Sequence, residues 1–425
     1  MARRLQPTDA YVIVNAMAKE LMGADATVQA RDLSSYISVG ETLMQYGRTN
    51  VFNALGIVLG RSIIATRPYK GKFRIIEEDN AGMYGQIERK ISFYDTDAVS
   101  TGWFNTDLNG ANLKDGAENT SAGTLDAGAN SATGSMWEQH QAKPVEVYFG
   151  GSDVWQHCIT MYENQLAPAM RNPAEMATLA TGILTEHANA IESRKEALRR
   201  ATVVNYIAGI YDLSANMPGS AVNLTATFNA EFRQGQTPYT TQELLTTHLE
   251  ELLKHMVETI KVKSDLMTDR LSLHHWTPDA NEILSRHTSK DRQKLFLLNP
   301  FIIKAQSWIY PSLFNEEYLS LDNFEGVNYW QNPNVPGGID IEPAIPDVSD
   351  PTEQTTGAEV KDITVLGVLF DRDALRINFQ MESAYTTPLE ARKGYRNTWL
   401  TIAKNPINDF SENGIIFYLE DPSEP

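Results

Sequence analysis

The sequence lacks several features by which classes of protein are usually recognised. It contains one cysteine, Cys158, so an intramolecular disulfide is excluded and a reducing compartment is expected. It contains no apolar run of the ~18 residues that a transmembrane helix needs. Its N-terminus lacks the apolar stretch and small-residue cleavage site of a signal peptide. These absences predict a soluble protein that is made in the cytosol.

Cationic residues are scarce relative to acidic ones. The 425 residues include 36 Lys and Arg against 54 Asp and Glu, which gives a net charge of −18. Broad binding to nucleic-acid phosphates depends on Lys and Arg, because these residues displace counterions. The charge therefore disfavours a general nucleic-acid-binding protein.

The usual signatures of catalytic and cofactor sites are also missing. There is no Walker phosphate loop, no GxGxxG after a strand and no GxSxG elbow. His274 and His275 are adjacent, so on a strand they face opposite sides and cannot bind one metal ion. Cys158 lies in VWQHCITMY, which is typical of a buried amphipathic segment. We therefore expect no catalytic residue, no cofactor and no metal site.

What the sequence does contain is a long region with little core of its own. Residues 1–66 are expected to form an N-terminal arm with short helices, interrupted by glycines. Residues 67–150 predict one long hairpin, because charged and apolar residues alternate on both sides of a soft stretch at 105–135. An isolated two-stranded hairpin is marginal in water, so this one is expected to lie on another chain.

Two helices are predicted after the hairpin. Asn172 is a suitable N-cap and Pro173 suits the first helical position, so a spine helix is predicted over 172–210. A second helix is predicted over 241–262, with Thr240 and Glu243 as its capping box. The stretch LSLHHWTPDANEIL then predicts a strand followed by a further helix.

Two apolar runs near the C-terminus predict strands of one sheet. The first begins at Ile363 and ends at Asp371, Arg372 and Asp373, which could be a catalytic acid or a surface corner. A corner held by charge pairs is favoured, because no partnered acid or histidine lies nearby in the sequence. Residues 337–362 contain seven acids against one lysine, which is typical of a solvated insertion.

The spine helix also carries a basic cluster, formed by Arg194, Lys195, Arg199 and Arg200. One interpretation is a solvated face supported by i,i+4 pairs such as Glu196–Arg200. The other is a patch that faces a polyanion. The first interpretation is favoured.

This order of parts resembles the major capsid proteins of tailed bacteriophages, which share the Hong Kong 97-type fold. The segments that carry the resemblance are SVGETLMQYGRTNVFNAL, RPYKGKF, the helix after Pro173, GVLFDRDAL and NDFSENGIIFYLED. The likeness covers nearly the whole chain. It implies an α+β subunit without enzyme activity, which self-assembles through hexameric and pentameric capsomers into an icosahedral head around double-stranded DNA.

The resemblance also implies a division of the chain. The segments are the arm (1–66), an extended loop that reaches over a neighbouring subunit (67–150), a peripheral domain (151–239 and 363–425) and an axial domain (240–362). Contacts between subunits are expected from charged residues of the loop, namely Arg67, Lys70, Lys72, Arg74, Glu77 and Glu78. The basic cluster of the spine helix is the candidate for local contact with the genome.

The implied partners are other copies of the chain, a separate scaffolding protein, a portal and a decoration protein, with weak contact to packaged DNA and none to a membrane. The implied location is the virion capsid, assembled in the bacterial host cytoplasm. Two other hypotheses stay open at this point. One is an encapsulin-like compartment for cargo proteins. The other is a hydrolase that uses Glu77 and Glu78, although adjacent residues on a strand point in opposite directions.

Overall fold

The structure is a computed structural model, and it describes the fold of most of the chain. The residues that it describes are Val12, 14–19, Ala30, 33–45, 69–80, 88–95, 143–149, 153–162, 173–279, 283–308, 324–347 and 354–421. The predicted hairpin tip at 105–135, the predicted contact residue Arg67 and the predicted N-cap Asn172 lie outside these residues.

The described residues form both helices and strands. The helices are α1 (Leu33–Gln45), α2 (Pro173–Asp212), α3 (Leu224–Phe232), α4 (Thr241–Thr246), α5 (Leu249–Leu266) and α6 (Asn299–Trp308). The first strands are β1 (Glu77–Asn80), β2 (Glu88–Phe93), β3 (Pro144–Phe149), β4 (Asp153–Tyr162), β5 (Ala221–Asn223), β6 (Gln293–Leu298) and β7 (Phe324–Val327). The later strands are β8 (Ala344–Pro346), β9 (Gln354–Thr356), β10 (Thr364–Asp371), β11 (Leu375–Thr386), β12 (Tyr395–Asn408) and β13 (Gly414–Leu419).

Five strands form a sheet that is covered by the rest of the chain. The strand order is β5-β13-β10-β6-β7, and β10 pairs antiparallel with both of its neighbours. Continuous apolar runs such as GIIFYL in β13 predict strands that are covered on both faces. Accordingly, every residue of β6 and β13 is buried. Helices α2 and α3 contact β13, and α6 contacts β6 and β7, so the main hydrophobic core surrounds this sheet.

Four strands form a second sheet, which has one face against α2. The strand order is β1-β11-β12-β4; β12 pairs antiparallel with both neighbours, and β1 runs parallel to β11. His157 on β4 contacts His187 on α2, with ring centroids 4.5 Å apart, which identifies the face that meets the helix. Leu400 lies opposite His157 in the register and is buried on the same face. Two further pairs, β2–β3 and β8–β9, form separate two-stranded sheets.

The predicted spine helix is present as α2. It spans Pro173–Asp212, and its 40 residues correspond to a length of about 60 Å. It passes through Gly209, where the Phe410 ring packs in the place that a side chain would occupy. Residues 203–210 are almost all buried, because this part of α2 packs against the five-stranded sheet, where Tyr206 contacts Phe370 of β10. None of the described helices is long and apolar enough to cross a membrane.

The second predicted helix, over 241–262, is divided into α4 and α5 by a break at Thr247 and His248. Its capping box is confirmed: the Glu243 amide donates to Thr240 Oγ1 at 3.3 Å, and the Thr240 amide donates to Glu243 Oε2 at 2.9 Å. The predicted strand ending at Trp276 is wrong. Residues 272–275 form bends, and the adjacent His274 and His275 are both buried. The helix predicted next is absent from residues 277–279 and 283–292.

The predicted domain boundary at residue 362 falls inside the five-stranded sheet. β6 and β7 precede this residue and β10 and β13 follow it, yet β6 and β10 are paired directly. The two apolar runs at the C-terminus, β10 and β13, share one sheet as predicted. Between them, however, β11 and β12 belong to the four-stranded sheet, so the last segment of the chain contributes to both sheets.

Candidate functional site

The base of the predicted hairpin is a pair of antiparallel strands, β2 and β3, that is fixed to the body by polar contacts. Alternate residues of β2 face inward and each meets a partner from the body. Their partners are Arg376 and Asn378 for Glu88, residues Asp409, Ser411 and Glu412 for Lys90, and Arg286 for Ser92. Arg376 lies 2.6 Å from the Glu88 carboxylate, and Arg286 donates to Ser92 Oγ at 2.7 Å. These contacts hold the hairpin base at a fixed angle to the subunit.

Lys90 is the centre of this attachment. Its ammonium group contacts the carboxylates of Asp409 and Glu412 and lies 3.0 Å from Ser411 Oγ. The Asp409 side chain is almost fully buried and also accepts from the Ser411 amide at 3.0 Å. Burial raises the pKa of Glu412 above its usual value, and the charge of Lys90 acts against that shift. A buried ion cluster of this kind requires all of its members, since an unpaired buried charge is costly.

The opposite face of the hairpin base is exposed and carries apolar side chains together with one ion pair. Ile91, Phe93 and Tyr148 are all exposed there, beside an ion pair between Arg89 and Glu146. In β2 the usual amphipathic arrangement is thus inverted, because polar side chains point to the body and apolar ones point to solvent. Exposed apolar residues in a continuous patch are typical of an interaction surface.

The four-stranded sheet has a second face that is partly uncovered. The register places on it the residues Val154, Gln156, Cys158, Thr160, Tyr162, Met381, Ser383, Tyr385, Tyr395, Asn397, Trp399, Thr401 and Ala403, of which Thr401 and Ala403 are buried. None of these residues is charged, although 21% of the chain is. Five of the apolar side chains on this uncharged face are exposed by 38–66%, with Tyr385 the most exposed. Both the hairpin base and this sheet therefore present surfaces that the described part of the chain does not cover.

Residues 69–76, which we call the strap, connect to β1 and lie across α2. Three carboxylates on the body accept hydrogen bonds from the strap. The Tyr69 hydroxyl donates to Glu196 at 2.9 Å, and the Gly71 amide donates to Glu192 at 3.1 Å. The amides of residues 73 and 74 donate to the two oxygens of Glu325 at 2.8 and 2.7 Å. Sequence analysis did not find Glu325, because it lies about 250 residues from its partners.

Phe73 anchors the strap in the core. It is fully buried, contacts Phe296 edge to face at 5.2 Å and has a φ of 60°, which is uncommon for a bulky residue. Such a conformation persists only where surrounding contacts hold it. Here the Glu325 hydrogen bonds and the Phe296 contact do so, and they fix where the chain leaves for β1.

The predicted contact residues of the loop have different surroundings. Lys70 and Arg74 are exposed, and Lys72 is half-buried. Arg74 is used within the strap, where its guanidinium donates to the carbonyls of Gly71 at 2.8 Å and Lys70 at 3.1 Å. Glu77 and Glu78 lie in β1, which pairs with β11 of the four-stranded sheet and not with the hairpin strands β2 and β3.

The basic cluster of α2 does not form one exposed patch. Arg194 is exposed and lies 3.3 Å from Asp153, whereas Lys195 and Arg199 are buried. Arg200 pairs with Glu196 at 2.6 Å, the predicted i,i+4 pair, and stacks on Tyr329. These contacts favour the interpretation of the cluster as structural ion pairs.

The segment at residues 371–373 is a corner between β10 and β11. Arg292 lies 3.1 Å from the buried Asp371 carboxylate and 2.5 Å from that of Asp373. Burial acts to raise the pKa of Asp373, but the hydrogen bond and charge of Arg292 lower it below its usual value overall. An acid held as a paired carboxylate stabilises the corner, as the sequence predicted, and is unsuited to donate a proton.

Histidines 274 and 275 do not form a metal site with their surroundings. His275 lies 3.2 Å from Asn413, and burial lowers the pKa of His274 to about 4. In the described part of the chain, no group of three His, Cys, Asp or Glu residues is placed to hold a metal ion.

No protein-family model matches the sequence, and no curated protein is similar to it. Solved structures do match the fold. The capsid structure of Staphylococcus phage Andhra has a TM-score of 0.50 and 9% sequence identity, over 83% of this chain and 84% of that chain. A structure of the head fiber and inner core protein of bacteriophage P68 has a TM-score of 0.46 and 8% identity, over 83% and 85% of the two chains. The capsid of Cyanophage P-SCSP1u has a TM-score of 0.42 and 10% identity, over 84% and 90%.

The likeness to the Andhra capsid structure extends over most of both chains, so this chain shares its fold. The predicted α+β phage-capsid fold is confirmed at that level. Its division into named subdomains stays a prediction.

Proposed function

We propose that this chain is the major capsid protein of a tailed bacteriophage, which self-assembles into an icosahedral head around a double-stranded DNA genome. One observation carries the proposal: the described part of the chain leaves one face of the hairpin base and much of the uncharged face of the four-stranded sheet exposed, whereas it buries every residue of β6 and β13 in the five-stranded sheet. The shared fold with a phage capsid structure supports the same conclusion.

The physical reason is that exposed apolar β surfaces gain burial when copies associate. Each Å² of apolar surface removed from water contributes about 25 cal/mol, before the entropy of association is counted. A hairpin base held firmly by Lys90 loses little freedom on docking. In a closed symmetric assembly the same contact is repeated at every subunit, so modest interfaces give a stable shell.

The finer assignments extend this proposal. Residues 1–66 are the arm, and 67–150 are the extended loop that reaches a neighbouring subunit, with the exposed Lys70 and Arg74 as candidate contacts. The peripheral and axial domains associate in hexameric and pentameric capsomers. A separate scaffolding protein, a portal and a decoration protein are the further partners, and packaged DNA is contacted weakly, with Arg194 the exposed candidate of the basic cluster. Assembly takes place in the host cytoplasm, and the product is the virion capsid.

The experiment is association of the purified chain, followed by sedimentation velocity over a concentration series and by electron microscopy. We expect the wild-type chain to form closed particles as its concentration rises. Tyr385→Lys places a charge on the uncharged face and should prevent them. Ile303→Lys is the matched control, because Ile303 is similarly exposed, at 64%, but lies on α6.

Two results would contradict the proposal. The first is a wild-type chain that stays monomeric at every concentration tested. The second is equal assembly by the Tyr385→Lys and Ile303→Lys variants, which would show that the uncharged face takes no part in the contact between copies. Circular dichroism of both variants verifies that the subunit remains folded.

A further inference from the structure

A cleft of about 470 Å³ opens beside the hairpin base, between β2 and the loops that precede β6. Three arginines from the segment 270–292, which precedes β6, line it, namely Arg270, Arg286 and Arg292. Phe93, the last residue of β2, lies at the edge of the same cleft. On a chain with a net charge of −18, this concentration of guanidinium groups is unusual.

Each arginine is held in place by a partner from its own chain. The partners are Asp95 for Arg270, residues Ser92 and Ser411 for Arg286, and Asp371 and Asp373 for Arg292. A guanidinium group carries five N–H donors in a planar arrangement. These internal bonds therefore orient the groups while most of their donors stay available, which is the preorganised state that favours binding.

Exposure differs sharply between the cations and the acids of the cleft. The side chains of Arg270 and Arg292 are 66% and 42% exposed. Those of Asp95, Asp371 and Glu412 are 19%, 2% and 13% exposed. The acids of the lining thus lie behind the guanidinium groups, whereas Asp373, which pairs with Arg292 and is not part of the lining, is 43% exposed.

We propose that this cleft binds an acidic segment of a second copy of the chain. The segment is the acidic ribbon around β8 and β9, which we define by four exposed residues: Asp340, Glu342, Glu359 and Asp362. Arginine binds carboxylates with two parallel hydrogen bonds, which gives both strength and orientation. The inference rests on the proposed self-assembly.

Charge supplies the reason for this choice of partner. Two copies that each carry −18 repel one another unless opposite charges are brought together where they touch. The cleft provides exposed cations, and the ribbon provides four exposed carboxylates against one exposed lysine, Lys361, which pairs with Glu359. A contact between two different surfaces suits a ring or shell, in which each subunit uses both surfaces at once.

The cleft is less suited to a continuous polyanion such as DNA. Its three arginines are matched by three acids in the lining, so its formal charge is balanced. Binding to a phosphate backbone depends on many uncompensated cations. A few oriented guanidinium groups suit separate carboxylates on a peptide.

A charge-swap experiment tests the inference. Arg270→Glu and Glu342→Arg each place like charges in the contact, and each should raise the concentration needed for assembly at least tenfold. The double variant restores an opposite pair and should recover most of the loss. Arg270→Gln removes the charge without reversing it and should give a smaller loss. Sedimentation velocity and light scattering at low salt provide the measurement.

Lys254→Glu and Glu250→Arg are matched controls, because this ion pair on α5 is 56% exposed at both residues and is not part of the cleft lining. They should assemble like the wild type. Thermal melting of every variant verifies folding.

The outcomes separate the inference from the proposed function. If the wild type assembles and the swap variants behave like their controls, the inference is overturned and the proposed function stands. If Arg270→Glu loses binding to a DNA duplex but assembles normally, the cleft is a nucleic-acid site and the inference is again overturned. A wild-type chain that never assembles overturns the proposed function itself.

Discussion

The two large sheets of this protein differ in how completely the chain covers them. In the five-stranded sheet, every residue of β6 and β13 is buried, and helices from the same chain supply the cover. The four-stranded sheet has α2 on one face and exposed, uncharged residues such as Tyr385 and Trp399 on the other. The hairpin base resembles the second sheet, because it turns apolar residues to solvent. The five-stranded sheet is therefore covered by its own chain, whereas the four-stranded sheet and the hairpin base are expected to be covered when copies of the chain associate.

Removal of a central aromatic should have the largest effect on the self-contained sheet. Phe296 is fully buried and contacts Phe73 at 5.2 Å and Phe370 at 5.4 Å. Phe296→Ala should lower the free energy of unfolding by about 4 kcal/mol, because it leaves a cavity in a closed core. Urea unfolding of the monomer measures this. A loss below about 1 kcal/mol would contradict the view that this sheet is densely packed.

Loss of the lysine at the hairpin base should have the next largest effect. Lys90→Met leaves the buried Asp409 carboxylate and that of Glu412 without their cation, at a cost of about 3 kcal/mol. Urea unfolding measures the loss, and proteolysis within β2 should become faster. Arg89→Met is the matched control, because its ion pair with Glu146 is on the exposed face of the same strand. Equal stability of the two variants would show that the buried ion cluster does not hold the hairpin.

Lowering the pH should destabilise both large sheets, because each lies beside a buried histidine. Burial lowers the pKa of His187, beside the four-stranded sheet, and of His274 to about 4 in each case. Because these folded-state values lie below the ordinary value of about 6.5, the unfolded chain binds more protons as the pH falls from 7 towards 4. Stability should therefore fall over that window, by on the order of 1–2 kcal/mol per histidine at pH 5.

His187→Gln and His274→Gln should each flatten this pH dependence, which urea unfolding at pH 7 and pH 5 measures. If only one of them does, acid acts mainly on the sheet beside that histidine. An unchanged slope in both variants would show that neither histidine is buried in its neutral form.

Substitution on the exposed face of the hairpin should have the smallest effect on the subunit. Ile91→Thr keeps β propensity and removes apolar surface, so the free energy of unfolding should change by less than about 0.5 kcal/mol. The protein concentration that this variant needs for assembly should nevertheless be higher than that of the wild type. A marked loss of monomer stability would place Ile91 in the core of its own subunit instead.

The sequence predicted the parts of the fold whose signals are local. The capping box of Thr240 and Glu243 and the helix that begins at Pro173 depend on residues a few positions apart. The corner at Asp371 was predicted from a charged triplet that interrupts an apolar run, although its partner Arg292 was not.

The features that sequence analysis missed depend on contacts between distant segments. β12 does not alternate cleanly and contains Pro406, which pairs only with Ile377 because β4 pairs no further along β12 than Lys404. Glu325 accepts from strap amides about 250 residues earlier in the chain. No periodic pattern marks either feature, because both depend on tertiary structure.

The uncharged face of the four-stranded sheet has a consequence for how a shell would come apart. A contact made by Tyr385 and Trp399 involves no charged groups, so a high salt concentration should not weaken it by screening. Burial of apolar surface weakens on cooling, so chilling should loosen the same contact. Particles built on this face are then expected to be cold-labile and salt-tolerant.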